Sequence, residues 1–332
     1  MLNILIFMII ISVLSFLFKD KPFDGEDYFL SYKYTNIMKG IAIILVLINH
    51  IGQSYKVSVI EPLGAVGVCI FLILSGYGIN EAYKRSGEKD YFIKRFKRVI
   101  IPYWIIVLLS SVLLNNFSVI LIVKKLLLIE LASGIFWYIR LISFWYIVFY
   151  ISKKIKNINY RYIFMMMMSL FISIIFLKER MYIWQIFSFT LGVIISDNIE
   201  FFKKYIEKKL KYIIAFSLLI TIVAVILKKT PYVDSRTFGV CDTALQIVIS
   251  LSLAIFIGMM VYILKNIHLW GLAQFIGQKS YEIYLVHPFF LYWLTNRSLL
   301  TMILYLIIVI ILSGLLNYID NIIAKKIFIN RK

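Results

Sequence analysis

Residues 39–50 read KGIAIILVLINH, a lipid-compatible run of amino acids with an ionisable residue at each end. Polar groups inside a membrane span are costly to insert, so they usually face a protein interior or a wet cavity and mark a pathway or a reaction centre. On an α-helix the steps from Lys39 to His50 advance about 16 Å and turn through about 1100°, which brings both residues to almost the same face. One helix face therefore links a membrane interface to the membrane interior.

The whole chain has the composition of a polytopic membrane protein. Of its 332 residues, 62% are hydrophobic, against about 45–50% in a soluble domain. Apolar segments of helix-spanning length recur from end to end, each closed by a short cluster of Lys, Asn or Gly. We expect transmembrane helices near residues 3–18, 40–54, 62–83, 99–116, 135–151, 162–177, 181–197, 212–227, 244–264, 273–294 and 299–324.

These segments predict an all-α fold, a polytopic transmembrane helical bundle of about ten core helices with one extra N-terminal helix and no soluble domain. The extra helix and a cytoplasmic linker occupy residues 1–33, the membrane domain residues 34–324, and a basic cytoplasmic tail residues 325–332. The first segment lacks the basic n-region and the cleavage site of a secretory signal. We therefore interpret it as a retained helix.

The net charge of +19 comes from 36 Lys and Arg against 17 Asp and Glu. Basic residues concentrate in alternate loops, at residues 84–98, 153–161, 203–211 and 325–332, and the positive-inside tendency places those loops in the cytoplasm. We expect a multi-pass protein of the plasma membrane with a cytoplasmic C-terminus, whose basic faces meet anionic membrane lipid or an anionic cytosolic ligand. The sequence has no aromatic-interleaved basic module, which argues against a nucleic-acid partner.

Cysteine and histidine usage argues against a metal site. The two cysteines, Cys69 and Cys241, provide no disulfide framework and no metal-ligand spacing. The three histidines, at 50, 268 and 287, match no metal motif. We expect no bound metal.

Two further stretches stand out, one with small residues inside a predicted span and one with basic residues at the start of a span. Residues 64–77 read GAVGVCIFLILSGY, whose small residues let neighbouring backbones approach closely while Ser75 can hydrogen-bond across helices. Residues 91–104 read YFIKRFKRVIIPYW, in which Arg95 and Arg98 share a helix face and could hold one polyanion, since guanidinium groups bind phosphate oxygens two at a time. The alternatives are a helix packing seam for the first stretch and a positive-inside anchor for the second.

A late predicted span has polar residues and a second histidine. Residues 275–288 read FIGQKSYEIYLVHP. The predicted topology starts this span at the cytoplasm, so His287 falls in the outer half of the membrane, as His50 does, and the two imidazoles could share one cavity. A core histidine bonded to a backbone carbonyl is the alternative for His287, which precedes a helix-disturbing proline.

Together these four stretches resemble the acyltransferase-3 family of integral membrane O-acyltransferases, over about residues 34–324. Members have an Arg, ten residues and a His in the first core helix, then a G-V-x-x-F-F-x-x-S-G-F/Y helix, an R-x-x-R cytoplasmic loop and a late S-Y-x-I-Y-L-x-H. The matching positions are Lys39 with His50, residues 67–77, Arg95 with Arg98, and residues 280–287.

The chain departs from the family pattern at three positions. Lys39 replaces the usual Arg, which keeps the charge but loses the bidentate fork of donors. Cys69 stands where many relatives carry an acidic residue. Arg140 lies in a region that is often a tryptophan motif followed by an acid, and we expect it to pair with Glu130 or to face an anionic acceptor.

The resemblance implies a transferase that moves an acyl group, usually acetyl, from cytoplasmic acyl-CoA to a hydroxyl of an extracytoplasmic or lipid-linked carbohydrate of the cell envelope. His50 would act as general base or as a transient acyl carrier, with Lys39 on the same face, while Arg95 and Arg98 would hold the CoA phosphates. Acyl-CoA is then a donor substrate and not a permanently bound cofactor. Candidates for contacts with the substrate or the transition state are Ser75, Tyr281, His287 and Arg140.

A flippase or transporter of lipid-linked oligosaccharide is the alternative function. It too has many helices, a basic inner face and buried polar residues, and Arg140 and Lys279 would then line a conduit without any acyl-CoA. A polysaccharide polymerase would feature a large outer loop, whereas the predicted outer loops are short. The residues do not identify the acceptor or the acyl chain length.

Overall fold

The computed structural model describes residues 28–57, 60–113, 115, 117–230, 233, 239–266, 270–296 and 298–328. Within those residues every regular element is a helix, as apolar spans require, because a helix satisfies its own backbone groups in lipid. The predicted all-α membrane bundle is confirmed. The first predicted span, residues 3–18, lies outside the described residues.

The helices, numbered in chain order, are α1 Tyr32–Ser54, α2 Pro62–Ser86, α3 Tyr91–Arg95, α4 Ile101–Leu113, α5 Val119–Leu126, α6 Trp137–Ser152, α7 Ile158–Ile175, α8 Ser188–Asp197, α9 Ile199–Lys228, α10 Val240–Ile263, α11 Gly271–Gln278, α12 Ser280–Val286 and α13 Leu299–Phe328. A π-helical segment joins α3 to α4 at Phe96–Ile100, and 3-10 segments lie at Gly134–Phe136, Ile183–Gln185 and His287–Asn296. Among the described residues, eight helical stretches are long and apolar enough to cross a membrane.

Two predicted spans are not long continuous helices. The span predicted at residues 273–294 is divided, because α11 ends at Gln278, α12 ends at Val286 and a 3-10 segment follows. Pro288 has no backbone N–H and therefore interrupts the helical hydrogen bonds there. The span predicted at residues 181–197 consists of a 3-10 turn and the 10-residue α8, which at about 15 Å crosses only half of the hydrocarbon.

The described helices form two compact units. The first comprises the described residues within 28–85 and 148–278, and the second comprises those within 86–147 and 279–328. In the first unit α1 packs against α11 and α10, and α10 packs along α9. In the second unit α12 packs against α13 and α4.

A reciprocal pair of glycines brings α1 and α11 together in the first unit. A Cβ at Gly40 would lie 1.8 Å from the carbonyl oxygen of Ala273, and a Cβ at Gly277 would lie 1.8 Å from that of Asn36. No side chain fits in either gap. The two helix backbones therefore touch, as small residues allow at helix interfaces in membranes.

A second glycine pair joins α2 to α8. A Cβ at Gly76 would lie 2.2 Å from the carbonyl oxygen of Phe189, and a Cβ at Gly192 would lie 2.0 Å from that of Ile73. Gly76 belongs to the stretch at residues 64–77. At this position the stretch packs against a neighbouring helix, as the packing-seam interpretation expected.

A polar network ties α2 to α8 near their C-terminal ends. Asn80 is fully buried, and its Nδ2 donates to Ser196 Oγ at 2.9 Å and to Asp197 Oδ1 at 2.7 Å. The ammonium of Lys153, just after α6, donates to Asn80 Oδ1. Tyr162 of α7 donates its hydroxyl to Asp197 Oδ2 at 3.0 Å. Four helices thus meet through a satisfied set of polar groups, which fixes their arrangement.

Burial of the ammonium lowers the pKa of Lys153 to about 8. Asp197 acts in the opposite direction, while the positive charges of Arg161 and Lys84 reinforce the lowering of the pKa. Desolvation exceeds the attraction of the carboxylate here, because water is removed from a charged group in a low-dielectric site.

Gly76→Ala is expected to lower the melting temperature of the purified protein, because the new methyl group would meet Phe189 at 2.2 Å and overpacking costs about 1–3 kcal/mol. Gly78→Ala is the matched control on the same helix, because a Cβ at Gly78 meets nothing within 4 Å. Both variants are melted in the same detergent. Equal melting temperatures would contradict the close approach of α2 and α8.

Lys153 should make the stability of the protein depend on pH. Its pKa is lowered in the folded state to about 8, so above that pH the unfolded chain binds more protons and stability rises as pH increases. We expect the melting temperature of the unmodified protein, relative to Lys153→Met, to increase from about pH 8 to about pH 10. Lys156→Met, at an exposed position, controls for the loss of a lysine. A difference that stays flat or falls over this window would refute the argument.

Candidate functional site

The first motif lies on one uninterrupted helix. Ser31 caps α1 by accepting a hydrogen bond from the backbone N–H of Tyr34 at 3.2 Å, which satisfies one of the free donors of the first turn. Lys39 and His50 both lie on α1 and are both partly buried. The Lys39 ammonium and the His50 imidazole are therefore carried by the same rigid helix, with Lys39 nearer its N-terminal end and His50 nearer its C-terminal end.

The hydrogen bond made by His50 decides which ring nitrogen can act as a base. Its Nδ1 lies 3.2 Å from Oε1 of Gln53, one turn further along α1. An amide oxygen only accepts hydrogen bonds, so Nδ1 carries the proton of the neutral ring and Nε2 carries the lone pair. Gln53 was not singled out from the sequence, although a spacing of three residues on a helix could have indicated the contact.

The second motif packs directly beside the imidazole-bearing end of α1. A Cβ at Gly64 would lie 2.7 Å from Nδ2 of Asn49, and a Cβ at Gly67 would lie 2.4 Å from the carbonyl oxygen of Ala42. Asn49 is 7% exposed, and its Oδ1 meets no hydrogen-bond donor in the part of the chain that the structure describes. Ser75 is partly buried further along α2. No sequence pattern marked Asn49 as a site residue.

Polar side chains from α8 and the turn before it surround Cys69. The thiol is fully buried, with Ser188 Oγ 3.4 Å from its sulfur. Ser188 donates to Gln185 Oε1 at 2.9 Å, and Gln185 Nε2 donates to the carbonyl oxygen of Ala65 at 2.9 Å. Ser188 and Gln185 were not found from the sequence, because they are 119 and 120 positions from their partners on α2.

The two arginines of the third motif lie in the second unit. Arg95 ends α3, and its guanidinium carbon is 4.7 Å from the centroid of the Tyr91 ring. Tyr91 is held by a hydrogen bond from its hydroxyl to the carbonyl oxygen of Tyr146 at 2.8 Å. Arg98 is exposed within the π-helical segment. Both arginines lie close enough to the Tyr146 hydroxyl for their positive charges to act on it.

The π-helical segment connects the third motif to the fourth. Such a turn leaves the regular α-helical bonding pattern, and it frequently marks a functional position. The carbonyl oxygen of Val99, inside Phe96–Ile100, accepts a hydrogen bond from the hydroxyl of Tyr281 at 2.7 Å. The sequence predicted both motifs but not this contact, because no local pattern marked the π-helical turn.

His287 is fully buried at the start of a 3-10 segment. Its Nδ1 lies 2.8 Å from the carbonyl oxygen of Tyr284 and 3.3 Å from that of Ile283, so Nδ1 carries the proton and Nε2 the lone pair. In a regular helix the N–H of residue 288 would bond to the Tyr284 carbonyl, but Pro288 has none. The imidazole replaces that missing donor, as the carbonyl-bonded interpretation of His287 anticipated.

Arg140 donates hydrogen bonds to the segment that connects α5 to α6. Its Nε donates to the carbonyl oxygen of Leu128 at 3.0 Å and its Nη2 to that of Ile129 at 3.0 Å. Glu130 accepts a hydrogen bond from Lys124 at 3.1 Å. Leu128 has a positive φ of 60°, so the arginine holds a strained turn in place.

The predicted site residues fall into two sets, one in each unit. The set in the first unit offers an imidazole base and an ammonium, and the set in the second offers a pair of guanidiniums and a second imidazole. The first unit contains Lys39, His50 and Ser75, and the second contains Arg95, Arg98, Arg140, Tyr281 and His287.

Comparison with known families identifies the family of the chain. A family model described as an acyltransferase domain matches residues 32–319, which includes all four motifs. No match was found among curated proteins or among solved structures. The chain therefore belongs to the acyltransferase-3 family and is a multi-pass membrane acyltransferase.

Proposed function

We propose that this acyltransferase moves an acetyl group from cytoplasmic acetyl-CoA to a hydroxyl of an extracytoplasmic or lipid-linked carbohydrate, in the plasma membrane and with its C-terminus in the cytoplasm. The observation that carries the proposal is the hydrogen bond from His50 Nδ1 to Gln53 Oε1, which leaves the lone pair on Nε2. An imidazole in that tautomer is suited to take a proton from a sugar hydroxyl.

In the proposed reaction Nε2 of His50 removes the proton of the acceptor hydroxyl while the oxygen attacks the carbonyl carbon of the thioester. A C–O bond forms and the carbonyl electrons move to its oxygen. The tetrahedral intermediate then collapses, the C–S bond breaks, and CoA leaves as a thiol that takes the proton from the imidazolium. Gln53 keeps its oxygen on Nδ1–H and so stabilises the positive charge of the intermediate ring. Transient transfer of the acyl group to the ring is the alternative route.

The arginine pair is proposed to hold the phosphates of CoA. Arg95 already stacks on Tyr91, so its planar group is partly ordered before the ligand binds, which lowers the entropy lost on binding. Lys39 and His50 are about 16 Å apart along α1, a distance that the extended pantetheine arm can cover. The donor thus approaches from the basic side of the membrane.

Two of the groups that were candidates for stabilising the transition state already make hydrogen bonds within the protein. The Tyr281 hydroxyl donates to Val99, and Arg140 donates to two backbone carbonyls, so both have structural duties. Ser75 and His287 remain the proposed partners of the developing oxyanion or of the acceptor, whereas Lys39, about 16 Å from His50 along α1, would contact the donor away from the reacting carbonyl. A neutral His287 would act through the Nε2 lone pair, because Nδ1 is bonded to Tyr284, and would therefore accept a hydrogen bond from the acceptor sugar.

His50→Ala should abolish acetyl transfer while CoA binding is retained, because loss of a general base removes about 10²–10⁴ of the rate. The assay follows label from acetyl-CoA into the carbohydrate fraction of membranes that contain the protein. His268→Ala, which changes a histidine outside the four motifs, is the control. If His50→Ala transferred acetyl groups at the rate of the unmodified protein, the proposed catalytic role of His50 would be wrong. Recovery of a labelled acyl-histidine at residue 50 would favour the covalent route.

Arg95→Gln and Arg98→Gln should each raise the KM for acetyl-CoA by about tenfold, because a charge-assisted hydrogen bond to phosphate is lost, with kcat little changed. Lys94→Gln makes the same charge change at an exposed neighbouring position and is the matched control. An equal rise in KM for all three variants would indicate general surface charge instead of a phosphate site. Movement of a lipid-linked sugar by the protein without any CoA dependence would support a flippase.

A further inference from the structure

A groove of about 570 Å³ lies between α9 and α10 in the first unit, and we call it the α9–α10 groove. One face of α9 lines it from Tyr205 to Ile220, and Ser252 and Ile255 line it on α10. Between Tyr205 and Ile220 the helix advances about 22 Å, which is about the depth of one membrane leaflet with its head groups.

The α9–α10 groove changes in chemistry along its length. At one end is Lys209, whose ammonium lies 5.5 Å from the centroid of the Tyr212 ring, with Tyr205 one turn before it. Further along, Phe216 and Ile220 expose large apolar side chains. A cation and two phenols at the interface, followed by hydrocarbon, complement a lipid with a phosphate head and an acyl tail.

An apolar cavity of about 230 Å³ adjoins the groove. The two share Tyr205, Ile213 and Ile255. The hydroxyl of Tyr34, which lines the cavity, donates to the carbonyl oxygen of Gly258 at 3.0 Å, so this polar atom is satisfied within the protein. An apolar cavity offers water no partners, whereas an acyl chain can fill it.

The charge around the groove favours an anionic occupant. Residues 203–211 contain five lysines and one glutamate, and Lys209 is exposed at the groove itself. Basic segments beside a membrane span attract anionic lipids, because the surface of the cytoplasmic leaflet is negative. A free phosphate ion would use the lysine but not the apolar part of the site.

We propose that the α9–α10 groove is a binding site for one anionic phospholipid. Its phosphate lies at Lys209, one acyl chain lies along Phe216 and Ile220, and the other chain enters the adjoining cavity past Ile255. The site lies entirely within the first unit and does not depend on the proposed acyl-transfer reaction.

The test uses the full chain in nanodiscs that contain equal amounts of phosphatidylglycerol and phosphatidylcholine. Native mass spectrometry then counts the phospholipid that remains bound after release. The unmodified protein should retain phosphatidylglycerol in preference to phosphatidylcholine. Lys209→Gln should lower the retained phosphatidylglycerol about fivefold, whereas Lys208→Gln, the same charge change on the adjacent exposed residue, should leave it unchanged.

A second variant tests the acyl-chain part of the site. Ile255 is 38% exposed, so Ile255→Trp can be accommodated by the fold while its ring blocks the passage between the groove and the cavity. It should lower lipid retention even though Lys209 is intact. Equal retention of the two lipids, equal losses for Lys208→Gln and Lys209→Gln, undiminished retention in Ile255→Trp, or displacement of the lipid by inorganic phosphate would each overturn the proposal.

Discussion

A backbone carbonyl that leaves regular helical geometry inside a membrane needs another donor, because lipid offers none. In the second unit the side chains of motif residues supply those donors. Tyr281 donates to Val99 in the π-helical segment, and His287 donates to Tyr284, whose helical partner would have been Pro288. Tyr281 and His287 therefore help to hold the irregular backbone of this unit in place.

In the first unit, by contrast, His50 lies on a regular helix that is tightly packed. Gly277 brings α11 against the backbone of α1, and Gly67 brings α2 against the same helix near Ala42. Contacts between backbones allow little lateral movement, since neither side can rotate away as a side chain would. His50 is thereby carried on a rigid support, which suits the general-base role proposed for it, because a proton is transferred only over a short, defined distance.

Much of this arrangement could be predicted from the sequence, because apolar run length and motif spacing are local properties. The membrane fold and the family followed from them, and a helix packing seam was one of the two interpretations of residues 64–77. The span at residues 273–294 was predicted as one helix, since hydropathy records apolarity and not backbone continuity at Lys279 and Pro288. Gln185 was missed because it meets α2 only after the chain has folded. Gln53, in contrast, was within reach of a simple helical-spacing argument.

The contact between the imidazole of residue 287 and the carbonyl of residue 284 also couples two neighbouring positions of this chain. Pro288 creates the vacancy that His287 fills, so neither residue can change alone without leaving either an unsatisfied carbonyl or two donors competing for it. In this chain the histidine and the proline therefore act as one structural unit. Replacing Pro288 alone would supply a backbone N–H to the Tyr284 carbonyl, and the imidazole of His287 would then be able to adopt another orientation.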